Sequence, residues 1–190
     1  MLDAQSIATA INTSGLAIFL GLSVWLSIID WREHRLPNKL VAGAAICALA
    51  SHIAQSAVSA VAASGVEAGA LESAGFESLI RSIVTAAVCF ALYLALHLAS
   101  RTKTSAGLGA GDVKLAGVLG LYLGWISIDT AILGIAAGFA FGAAFSLVVI
   151  AAGRGNRRSR VAFGPWMLAG AWLAIILTTV GGTSLTYPGN

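Results

Sequence analysis

The sequence predicts an all-α, polytopic membrane protein with about six transmembrane helices, and three observations carry that prediction. Of 190 residues, 58% are hydrophobic and only 10% charged, with a mean hydropathy of +0.88, too little polar surface for a water-soluble domain. Apolar runs close to the roughly 20 residues that a bilayer core requires recur along the chain. Ten of the eleven Lys and Arg residues fall in loops that six spans place on one side of the membrane, as the positive-inside rule demands. A single membrane domain over 1–190 is expected, with spans near 7–29, 40–63, 81–100, 106–126, 128–152 and 161–180.

The first span starts without a charged leader region. Met1 to Asn12 holds Asp3 and no Lys or Arg, so this segment is expected to remain as a helix rather than be cleaved as a signal peptide. Asp30 ends it, and Trp31 to Lys39 forms a charged loop whose Pro37-Asn38 pair stops one helix and can cap the next. The second span carries a polar stripe of Ser51, His52, Gln55, Ser56 and Ser59, expected to face other helices. Ser64 to Ser78, rich in Gly, Ser and Ala and holding Glu67, Glu72 and Glu77, reads as a solvated loop.

Arg101 and Lys103 close the third span. The fourth opens with Gly107-Leu-Gly-Ala-Gly-Asp-Val-Lys-Leu115, three glycines ahead of a lone carboxylate. About 16 apolar-tolerant residues follow Asp112, short for a span, which places Asp112 at or just within the membrane edge. In the fifth span Gly134, Gly138, Gly142 and Ser146 recur every four residues, a spacing that lets helix backbones approach closely. Arg154, Arg157, Arg158 and Arg160 lead into the sixth span, which contains Phe163-Gly164-Pro165.

The basic loops are therefore expected to be cytoplasmic, with both termini outside and only Arg81 on the outer side. The small positive net charge, +3, is explained by these topology signals, and nucleic-acid binding is excluded on that ground. Asp30 and Asp112 then lie at the same cytoplasmic edge. A charge inside a bilayer costs about 2.5–3.5 kcal/mol even on the lenient scale, so intramembrane carboxylates point to function.

Two carboxylates at one depth can act as general base and general acid on a peptide bond, the chemistry of aspartic proteases. It needs no metal and no nucleophilic side chain, and no metal or cofactor is expected. Asp112, near its helix N-terminus and close in sequence to Lys114, is expected to be the base. Asp30, at a helix C-terminus, is expected to be the acid. Glu33 and His34 fall in the charged loop and rank below Asp30, and Asp129 belongs on the outer side. His52 and His97 are isolated and read as packing residues. Cys47 and Cys89 lack the spacing of a metal or redox motif and read as free thiols. Trp25, Trp125, Trp166 and Trp172 suit packing or interface anchoring.

Gly109-Ala-Gly-Asp-Val-Lys-Leu115 resembles the GxGD motif of type IV prepilin peptidases. Asp30 with Leu36-Pro37-Asn38 resembles the first aspartate motif of that family, and Phe163-Gly164-Pro165 its third. The three occur in the family's order across all six spans. The resemblance implies an intramembrane aspartyl endopeptidase that cleaves prepilin or pseudopilin leaders after a glycine, at the cytoplasmic face of the inner membrane. It implies Asp30 and Asp112 as the catalytic pair and the substrate helix and membrane lipid as partners. Neither cysteine is in a loop, whereas longer family members carry paired cysteines in a zinc-binding loop associated with methylation. The chain thus looks like the short, peptidase-only form that serves tight-adherence pili.

Gly109, Gly111, Gly164 and Pro165, together with Lys114, are candidates for substrate binding or loop support. Exposed backbone there could pair with an unwound substrate segment. The alternative from another class is a small proton- or ion-coupled transporter using the Asp pair. A transporter favours internal repeats and a midplane site, whereas no repeat is evident and both aspartates lie near one edge.

Overall fold

The computed structural model describes residues 4–33, 35–62, 68–101, 108–153 and 162–180. Gly107, His34, Lys103, Glu67 and the arginines of the fifth loop, Arg154 to Arg160, lie outside the described residues. Among those described, six helices occur in order: α1 (Ala4–Glu33), α2 (Asn38–Ala62), α3 (Ala68–Arg101), α4 (Ala110–Ile126), α5 (Ile128–Ala151) and α6 (Gly164–Val180). All regular structure among the described residues is helical, and α1, α2, α3 and α5 are each long and apolar enough to cross a membrane. The chain is a multi-pass, all-α membrane protein.

The helices α4 and α6 have 17 residues each, about 25 Å at 1.5 Å per residue, somewhat less than a bilayer core. The middle helix of the bundle is α4, which packs against α2, α3, α5 and α6, while α1 packs against α2 and α6. Nearly all of α4 from Asp112 to Gly124 is buried. The outer helices instead expose Ile18, Val24, Ile53, Val88, Ile132 and Leu147, a pattern suited to lipid and costly in water.

Small residues set the closest approaches. A Cβ on Gly120 would lie 2.6 Å from Ala86 Cα, so α3 and α4 touch backbone to backbone there. The glycine stripe of α5 does face a helix: Gly134, Gly138 and Gly142 are buried, and a Cβ on Gly138 would lie 3.1 Å from Met167 Cα of α6. Between α1, α4 and α6, Phe19 stacks on Tyr122 and on Trp172, whose Nε1 donates to Ser23 Oγ. On the polar stripe of α2, His52 and Gln55 are buried and Ser51 and Ser56 half-buried. His52 stacks on Trp125 with centroids 4.3 Å apart and meets Ser82 Oγ. The side chain of Ser59 lies outside the described residues.

One expectation fails. The reach from Ala68 to Ser78 is helix rather than solvated loop, extending α3 by more than three turns on the N-terminal side of Arg81. Its Ala, Leu and Glu residues are good helix formers that the glycines obscured, and Gly75 packs on Ser56, whose Oγ donates to Gly75 O at 3.1 Å. Arg81, the lone cation expected on the outer side, has a structural use. Its Nε donates to Gly124 O at 2.9 Å and its Nη2 to Trp125 O at 2.8 Å, satisfying carbonyls that the C-terminus of α4 leaves without helical partners.

Candidate active site

Asp30 lies one turn before the end of α1 and Asp112 in the first turn of α4, and both side chains are almost fully buried, 5% and 7% exposed. The fold brings them to the same end of the bundle, where Leu36, just after α1, lies against Gly111 in the first turn of α4. A backbone amide from a glycine holds each one.

At Asp112 the amide is local. Gly109 is the N-cap of α4, in extended conformation, and its N–H donates to Asp112 Oδ2 at 3.0 Å. Asp112 is thereby the acidic half of a capping box, in which a side chain at the third helical position returns to the cap. At Asp30 the amide comes from 134 residues away. Gly164 N–H, at the start of α6, donates to Asp30 Oδ2 at 3.0 Å. The first-turn amides of a helix have no helical acceptor. The next residue, Pro165, carries no N–H, so this turn presents Gly164 to a partner outside the helix. Phe163 O accepts from the Trp166 and Met167 amides, which fixes the turn.

This geometry corrects the electrostatic expectation for the pair. Asp30 does end α1, but it also sits at the N-terminus of α6, so both carboxylates face the favourable end of a helix dipole. Lys114 does not turn toward Asp112: two positions apart on a helix, the side chains diverge, and Lys114 Nζ donates to Asn38 Oδ1 at 2.8 Å.

The glycine backbone also has a different use from the one expected. The N–H groups of Gly109 and Gly164 are taken by the carboxylates rather than open for a substrate strand. Glycine at 164 leaves room for the carboxylate: a Cβ there would lie 2.7 Å from Asp30 Oδ2 and would displace it. A Cβ on Gly111 would lie 3.0 Å from Leu36 Cβ, so the segment joining α1 and α2 presses on the first turn of α4. Leu36-Pro37-Asn38 and the glycine-Asp-Lys stretch therefore meet at two points, Leu36 on Gly111 and Asn38 on Lys114.

Sequence reading missed two features of the site. The pairing of Asp30 with Gly164 joins opposite ends of the chain, and no local pattern announces it. His97 places Nδ1 2.5 Å from Leu108 O, just ahead of Gly109; an isolated histidine in an apolar helix carries no sequence signal beyond packing. Trp31, Phe145 and Trp166 form an aromatic cluster beside these elements. Among the described residues no three His, Cys, Asp or Glu side chains converge as a metal site would require.

A protein-family model described as the type IV leader peptidase family matches residues 17–183, which takes in Asp30, Asp112 and every contact above. No curated protein and no solved structure matches the chain.

Proposed function

We propose that this chain, which belongs to the type IV leader peptidase family, is an intramembrane aspartyl endopeptidase in which Asp30 and Asp112 are the catalytic pair. Membership makes it a leader peptidase-like protease. The aspartic mechanism rests on one observation above all: two buried carboxylates, from α1 and α4, lie at the same end of the bundle, each oriented by a glycine amide.

In this reading the ionised carboxylate takes a proton from a water molecule as its oxygen attacks the scissile carbonyl carbon. The protonated partner donates its hydrogen to the carbonyl oxygen. Collapse of the tetrahedral diol breaks the C–N bond as one carboxyl gives its proton to the leaving nitrogen and a diol hydroxyl returns a proton to the other, so the pair again holds one shared proton. Two close carboxylates cannot both ionise cheaply, which keeps that single proton available. The two sites present equivalent helix N-termini, so helix dipoles do not distinguish base from acid, and the two carboxyls act as one coupled pair.

The substrate class follows from the family: a prepilin or pseudopilin whose leader precedes an apolar helix. The bias of Lys and Arg toward the loops at this end supports a cytoplasmic position for Asp30 and Asp112, in an inner membrane, where such a leader projects. An edge location suits a protease better than a transporter, whose site belongs near the midplane.

The test is co-expression with a type IV prepilin, following leader removal by gel mobility and mass spectrometry. Wild type should release the leader, while membrane-inserted Asp30→Asn and Asp112→Asn should not. Cleavage that persists in either variant refutes the pair.

A further inference from the structure

Both polar ends of one peptide group at the site are engaged. The peptide joining Leu108 to Gly109 donates its N–H to Asp112 Oδ2 at 3.0 Å, and its carbonyl lies 2.5 Å from His97 Nδ1 on α3. A carbonyl oxygen only accepts, so Nδ1 carries the hydrogen. The peptide is planar and trans, so fixing the direction of the carbonyl fixes the direction of the N–H.

The Asp30 side supplies the contrast. There the corresponding carbonyl, on Phe163, accepts the Trp166 amide at 3.1 Å and the Met167 amide at 3.2 Å, so α6 itself orients the peptide that holds Asp30. In α4 the first bond of this kind is made one residue later, from Asp112 N to Gly109 O at 3.1 Å. The Leu108 carbonyl lies ahead of the helix, and the group upon it comes from α3. Rotation of this peptide turns on φ of Gly109, the backbone angle that glycine leaves least restricted.

We infer that His97 is a positioning residue for Asp112, acting through the Leu108–Gly109 peptide group. The inference rests on Asp112 being one of the catalytic pair. With His97 in place the amide is aimed at Oδ2 and, its carbonyl being hydrogen-bonded, is a stronger donor. Without it the peptide plane is free to turn, and Asp112 loses the bond that sets its rotamer. His97 takes no part in proton transfer, and its contribution is to the geometry of the reacting group and not to substrate affinity.

The amide of Asn can place an N–H close to the position of Nδ1, whereas Gln places one near Nε2 and Leu offers none. Rates should be measured on purified protein in liposomes with a peptide spanning a prepilin leader and the start of its apolar helix, alongside thermal unfolding. His97→Leu and His97→Gln should lower kcat by roughly 10- to 100-fold with KM little changed, the scale expected when a reacting group is misplaced by about 1 Å. His97→Asn should recover most of the loss. Wild-type kcat in His97→Leu, an Asn variant no better than Gln, a change confined to KM, or losses that track thermal stability across all three would each overturn the inference. Asp112→Asn in the same assay separates the two readings. If it still cleaves, the aspartyl reading falls; if it is inactive while His97→Leu is fully active, only the role of His97 falls.

Discussion

Replacing Gly164 by Ala adds one methyl group at the point where α6 meets Asp30. The new Cβ would lie 2.7 Å from Asp30 Oδ2 and 3.3 Å from Cγ, where ordinary contact begins at 3.4 Å. The carboxylate oxygen must then retreat by about 0.7 Å, the difference between those two distances. That shift strains the 3.0 Å bond from Gly164 N–H, and hydrogen bonds to charged groups contribute about 1.5–3 kcal/mol. Misplacement of a reacting group by about 1 Å costs on the order of 100-fold in rate, so a 10- to 100-fold loss of leader cleavage is expected. Alanine suits the helical backbone at least as well as glycine, so expression and thermal stability should hold. Gly21→Ala, on α1 with no atom near the added Cβ, is the control and should cleave at the wild-type rate. Wild-type cleavage by Gly164→Ala would refute the reasoning that this close approach sets Asp30.

Further outcomes follow from other contacts. Lys114→Met removes an exposed bond to Asn38 rather than a partner of Asp112, and exposed polar ties contribute at most about 1 kcal/mol; cleavage should fall only a few-fold, as measured by the same leader assay. Arg81→Leu strips donors from Gly124 O and Trp125 O. Each buried carbonyl left without a donor costs about 1–3 kcal/mol, so thermal unfolding in detergent should occur at a clearly lower temperature. Gly120→Val forces a side chain into the Ala86 backbone; overpacking of this kind costs about 1–3 kcal/mol, readable as reduced stability together with reduced cleavage, because α4 carries Asp112.

The fold was legible because the apolar runs and the basic loops are both direct readouts of a bilayer. The start of α3 was not, because glycines at 69 and 75 and the glutamates at 72 and 77 imitate a loop, whereas its helix is fixed in part by tertiary contact with Ser56. Asp112 could be singled out from its glycine neighbours, and Asp30 from its place at the same edge. Their supports could not. Gly164 reaches Asp30 only because α1 and α6 pack side by side, and Asn38 meets Lys114 only because α2 begins beside α4. The expectation that Asp30 lies in an unfavourable dipole failed for the same reason: it considered the helix that carries the residue and not the helix that meets it.

The central claim, that Asp30 and Asp112 act as one catalytic unit, is tested most directly by cleavage rates of Asp30→Asn, Asp112→Asn and the double variant on one prepilin substrate. Residues that act as a unit are strongly non-additive. Each single substitution should therefore abolish cleavage as completely as the double, with all three proteins inserted and folded. A single variant that retains substantial activity, or a double variant far slower than either single, would contradict it.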